Sequence, residues 1–159
     1  MLDNTIPYTT SEGYEYLIRF TEFNKNYLPK EFLLPIVDIT IVVNSDMTTT
    51  NNGKTLAEFS CLIKNYLTQK DVVLYFYCSN DPIIKSSKRK DISNSQYRSD
   101  LFCKMFEKQN LIENDFICEN ILIEDPMNGD HHIHLISGIK NEIEVKLIIE
   151  KGLPYFENK

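Results

Sequence analysis

The chain has 159 residues, 42% hydrophobic, 25% charged and 11% aromatic, which suits one globular domain around one buried core and leaves two domains cramped. Five glycines and six prolines exclude a fibrous or low-complexity chain, and the apolar fraction excludes disorder. A net charge of −6 sets up long-range repulsion from polyanions, which disfavours non-specific binding to nucleic acid.

In chain order, Glu12 to Phe20 places Tyr14, Tyr16, Ile18 and Phe20 at every second position, which predicts a half-buried strand. Phe23 to Leu34 is mixed and bounded by Pro29 and Pro35, so it is at most a short strand flanked by loop. The β-branched run Ile36 to Asn44 predicts a second strand. A polar loop over 44–52 ends at Asn51 and Asn52, either of which suits the N-cap of a helix over Lys54 to Thr68. In that helix Leu56, Phe59, Ile63, Tyr66 and Leu67 form the stripe that lies on a sheet.

Asp71 to Ser79 encloses seven consecutive apolar residues, Val72 to Cys78, and a strand apolar on both faces is central. After a polar loop over 80–94, Ser93 or Asn94 caps a second helix that buries Tyr97, Leu101, Phe102, Met105 and Phe106. Phe116 to Glu124, His131 to Ile139 and Glu142 to Glu150 follow as three apolar runs with short polar joints, predicting an antiparallel meander. The fold class is therefore α+β: residues 1–159 form a single domain, with two helices on one face of a predominantly antiparallel sheet and the tail 152–159 extended or frayed.

Seven apolar residues in a row fall far short of the roughly 20 that span a bilayer, so no membrane segment is expected. The first residues show no basic region leading into an apolar stretch, and the expected compartment is the cytoplasm. Cys61, Cys78, Cys103 and Cys118 include no C-x-x-C pair and sit among apolar neighbours, as reduced buried thiols do.

The centre of the chain carries a recognisable pattern: Tyr75-Phe76-Tyr77-Cys78, then Asp81, then a helix with Arg98, Phe102 and Phe106. It resembles a small bacterial family of unknown function, in which a Tyr-x-Cys-Asp strand leads through an Asp-containing loop to an Arg-x-x-x-Phe-x-x-Trp-Phe helix. The likeness is closest over 74–106; Met105 stands in place of the Trp and Ser79 in place of the strand's Asp. It implies this fold and no particular activity.

Four groups of residues are candidates for chemistry. Arg98 shares a helical face with Phe102 and Phe106 and needs a partner, for which Asp81 is the natural carboxylate; a structural pair is preferred to an anion-binding one. Lys85, Lys88, Arg89 and Lys90 place four cations on the loop after the central strand, suited to anions or nucleic acid but read first as a solvated tract. Asp130, His132 and His134 share one face of a strand and are weak candidates for metal ligands, spaced for no known site. The plainer reading puts His131 and His132 at the turn and His134 in solvent, opposite Ile133 and Leu135. No phosphate-cradling glycine loop, nucleophile elbow or zinc-protease motif occurs.

Motif poverty, with nine Tyr and nine Phe but no Trp, favours a non-enzymatic module that binds a protein partner or itself through a Tyr-lined surface, in a regulatory or accessory role. The alternatives are a nucleic-acid or nucleotide binder acting through residues 85–90, and a metal-dependent hydrolase built on His131–His134. No cofactor and no resident metal are expected.

Overall fold

The computed structural model describes residues 2–43, 53–79, 85, 87–113, 115–127 and 129–157. Among them six strands form one sheet: β1 (Asn4–Thr9), β2 (Glu15–Glu22), β3 (Ile36–Val43), β4 (Val73–Cys78), β5 (Phe116–Ile123) and β6 (His131–Gly138). The helices are α1 (Gly53–Gln69), α2 (Asn94–Glu113) and α3 (Glu142–Glu157). The strand order is β1-β2-β3-β4-β6-β5, antiparallel at every step except β3 to β4. The fold is α+β with a mostly antiparallel sheet. No helix among the described residues is long and apolar enough to cross a membrane.

Alternation in β2 does what a period of two requires: Tyr16, Ile18 and Phe20 are buried while Glu15 and Arg19 are exposed. Onto that face α1 lays Phe59, Ile63, Tyr66 and Leu67, with the Tyr66 ring stacked on Phe20 at 3.9 Å between centroids. The Tyr66 hydroxyl donates to the Leu2 carbonyl at 2.6 Å, giving the buried phenol its partner. Helix α2 covers the same face further along with Phe102, Met105 and Phe106, and Phe102 stacks on Phe76 of β4 at 4.2 Å. Ser93 caps α2, its hydroxyl accepting from the Gln96 amide at 3.1 Å.

The last predicted strand is instead α3. Residues 142–150 alternate in a way that suits a strand, but β6 already has β4 and β5 on its two edges. The opposite face of the sheet presents Ile36, Val73, Tyr75, Ile133 and Leu135, and this apolar surface needs a cover. A helix supplies it by turning Val145, Ile148 and Ile149 inward, at the spacing of one helical stripe, and leaving Ile143 in solvent. Glu142 and Glu144 in the first turn favour the helix dipole, and Lys146 pairs with Glu142 one turn back. Helices therefore lie on both faces, not on one, and the tail continues α3 to Glu157 rather than running extended.

Two smaller corrections concern the first third of the chain. Asn4–Thr9 is an edge strand carrying Pro7, a residue tolerated at an edge and absent from central strands. Residues 23–34 hold no strand but a 3-10 turn, Lys25–Tyr27, and a loop pinned beneath α3 by the Glu144 carboxylate, which accepts from the amides of Leu33 and Leu34 at 2.7 and 3.3 Å. The Asn51 or Asn52 cap lies outside the described residues.

Because α3 closes the second core, Ile148→Ala should cost about 2–5 kcal/mol in a urea-unfolding measurement, whereas Ile143→Ala should change stability by no more than about 0.5 kcal/mol. Equal effects would place α3 off the sheet.

Candidate functional site

Strands β3 and β4 pair only through Ile36–Val73, Val37–Leu74 and Asp38–Tyr75. Beyond that point β3 keeps its ladder with β2 as far as Val43, and β4 keeps its ladder with β6 as far as Cys78. Their facing edges, residues 39–43 and 76–78, have no ladder partner among the described residues. Beyond the ladder's last pair, at the carboxyl ends of the two strands, Val43 and Tyr77 are exposed although both strands are central. Both connections that leave this end lead to helices on one face of the sheet, α1 after β3 and α2 after β4.

Helix α2 is tied to the end of β4. The buried Ser95 hydroxyl donates to the Cys78 carbonyl at 2.9 Å, and Arg98 Nη1 donates to the Ser79 carbonyl at 2.9 Å. Arg98 thus reaches back to the end of the central strand; Asp81, its expected partner, lies outside the described residues. The basic tract is partly engaged within the fold. Arg89 forms an ion pair with Asp100, which Gln96 also holds, and its guanidinium lies 5.7 Å from the Tyr97 ring centre. Lys85 Nζ donates to the Ile92 carbonyl at 2.7 Å, and Lys88 and Lys90 are exposed.

The histidines divide by strand face. His132 and His134 point toward α2, and His134 is fully buried instead of facing solvent. The reason is that β6 lies between two strands and beneath helices on both sides, so neither of its faces is wet. Nε2 of His134 lies 2.9 Å from the Ser99 hydroxyl, and Nδ1 lies 3.8 Å from Cys103 Sγ and 3.9 Å from Cys118 Sγ. Burial pushes the Cys103 and Cys118 thiols up, and burial with His132 alongside pushes the His134 imidazole down to about 4. A neutral imidazole among protonated thiols is a satisfied polar node, not a thiolate–imidazolium pair.

His132, also buried, leaves its Nδ1 without a hydrogen-bond partner among the described residues. Asp130 stays exposed at the turn, where its carboxylate accepts from the Asp125 amide at 3.3 Å. Among the described residues no three His, Cys, Asp or Glu side chains are arranged to hold a metal ion. Cys61 is exposed on α1, contrary to the expectation of four buried thiols, and all four cysteines are free.

His131 faces the other way. Its Nδ1 lies 2.6 Å from the Tyr77 hydroxyl and its Nε2 lies 3.2 Å from Asp125 Oδ2. From the sequence Tyr77 figures only in the strand motif and Asp125 only as a further ligand for a metal on the histidines, neither as a partner of His131; the signal available was a tyrosine two positions from the register of a histidine that follows a tight acidic turn.

The depressed His134 value fixes a pH dependence. Unfolded chains take up the His134 proton near pH 6.5 and folded ones only near about 4, so between these values the unfolded state binds more protons. Stability from this group is complete above about pH 6.5 and declines on acidification toward pH 4, by about 3 kcal/mol in all. His132, also pushed down by burial, acts in the same direction. Chemical unfolding at a series of pH values should show this slope in wild type and a shallower one in His134→Gln; identical slopes would mean that His134 is not held neutral.

Compared with protein-family models, with curated proteins and with solved structures, the chain matches none.

Proposed function

We propose that this chain binds an extended segment of a partner protein in the split between β3 and β4, as a regulatory or accessory module. The observation that carries the reading is the pair of unladdered edges, 39–43 and 76–78, inside an otherwise continuous sheet. Backbone N–H and C=O groups along such edges need partners, and another extended backbone is the structure that supplies both in register. Thr40, Val43 and Tyr77 then line the groove with β-branched and aromatic surface. The orphan Nδ1 of His132, at the same end of the sheet, adds a buried polar group of the kind that bound ligands satisfy.

The nucleic-acid reading finds less support, since Lys85 and Arg89 are engaged within the fold and the net charge is negative. Membership of the family of unknown function that the central pattern resembles is compatible with this proposal and adds no specificity to it.

Selection from a library of short random peptides, followed by amide hydrogen exchange on the full chain, tests the reading. Bound peptides should slow exchange within residues 39–43 and 76–78 by about tenfold or more. Failure to select any binder, or protection confined to the outer edges of β1 and β5, would overturn it.

A further inference from the structure

The Tyr77–His131–Asp125 chain of hydrogen bonds is independent of those backbone edges. An ionised carboxylate only accepts, so the His131 proton sits on Nε2 toward Asp125 and the Nδ1 lone pair faces the Tyr77 hydroxyl at 2.6 Å. A nucleophile within hydrogen-bond reach of a base, and the base oriented by a third group, is the arrangement that activates hydroxyls for covalent catalysis.

The turn between β5 and β6 is built to hold it. Asp125 Oδ1 accepts from the Met127 amide at 3.0 Å, the Asp125 carbonyl accepts from the Gly129 amide at 2.9 Å, and Gly129 adopts a φ of +87° that side-chain-bearing residues disfavour. Asp125 Oδ2 is the oxygen that faces His131 Nε2. Tyr77 stands beyond the last β3–β4 pair and is 39% exposed, so a ligand at this end of the sheet meets its side chain.

Charge selects the electrophile. The turn that carries His131 and Asp125 also holds Glu124 and Asp130 and no Lys or Arg, and this acidic turn repels phosphate and carboxylate groups.

We propose that Tyr77 is a nucleophile toward uncharged carboxylic esters, with His131 as its general base and Asp125 as the positioning residue. The Tyr77 oxygen attacks the ester carbonyl while its proton passes to His131 Nδ1. The tetrahedral intermediate collapses, the C–O bond to the alcohol breaks, and the departing oxygen takes that proton back from His131. Water, deprotonated in turn by His131, then attacks the acyl-tyrosine, releasing the carboxylic acid and restoring the Tyr77 hydroxyl. Ester and water are consumed, alcohol and acid are formed, and no redox partner enters.

The full chain and p-nitrophenyl acetate provide the test, with the acylated residue located by peptide mass spectrometry. Acetylation of Tyr77 should outpace that of the more exposed Tyr27 by about 100-fold or more, and His131→Phe should remove most of that advantage. Asp125→Asn should lower the rate by about tenfold or more and Asp125→Glu should recover part of it, a rescue that a merely structural carboxylate would not give. Should His131→Phe fail to fold, the Asp125 pair and the Tyr27 comparison within wild type decide the matter alone. Acetylation of Tyr77 no faster than of Tyr27, or no loss in Asp125→Asn, would overturn the proposal, and preferential turnover of p-nitrophenyl phosphate would overturn the choice of ester.

Discussion

Three residue pairs join the two halves of the sheet. One half is β1-β2-β3 and the other is β4-β6-β5, each antiparallel throughout, and between them run only Ile36–Val73, Val37–Leu74 and Asp38–Tyr75. So short a parallel ladder cannot hold the halves by backbone bonds alone, given that a net intramolecular hydrogen bond contributes only about 1 kcal/mol. Side chains carry the join. On one face α1 leaves the end of β3 and returns at β4, placing Tyr66 on Phe20 of the first half in the same core as Leu74 and Ile136 of the second. On the other face Val145 and Ile148 of α3 share a cluster with Ile36 of β3 and with Val73, Ile133 and Leu135 of the second half. The first of these layers runs on past the end of the ladder, since Ile39 and Phe76 pack in it beyond the last β3–β4 pair.

The same arrangement assigns the histidines their roles. Because β6 is sandwiched between β4 and β5 with helices above and below, alternate residues on it meet entirely different surroundings. His134 must find its partners within the core, and α2 meets this with small polar residues, Ser99 and Cys103, where a larger apolar side chain would leave the ring unpaired. His131, one residue from His132 in sequence, is turned toward the opposite face and the acidic turn. Two neighbouring histidines differ in chemistry through nothing more than the period of a strand.

The elements with a single physical reading were legible in the sequence. α1 and α2 each carry a helical stripe, β3 a β-branched run and β4 an unbroken apolar run of strand length, and Ser93 marked the start of α2. β1 escaped because Pro7 reads as a strand breaker until the strand is known to be an edge. α3 escaped because Ile143, Val145, Leu147 and Ile149 satisfy a period of two over so short a stretch that local pattern cannot separate strand from helix. What decided it is global: both edges of β6 were taken and one apolar face was bare. The candidate site was illegible for a related reason. Arg98 was placed correctly near the end of β4, but the contact between Tyr77 and His131 depends on β6, not β5, being the neighbour of β4, and no local signal encodes strand order.

Burial, finally, separates the two histidine networks as possible seats of reactivity. A proton relay needs one end that a reactant reaches and another that stabilises charge as it forms. The His134 network has neither: the ring is sealed from solvent, its half-buried thiols are held protonated by burial, and neutral groups surround the ring on every hydrogen bond it makes. In the His131 network a carboxylate lies 3.2 Å behind the imidazole, and the tyrosine in front is 39% exposed. The ring buried in the core therefore serves packing, and the capacity for proton transfer lies on the face where Tyr77 emerges beyond the last β3–β4 pair.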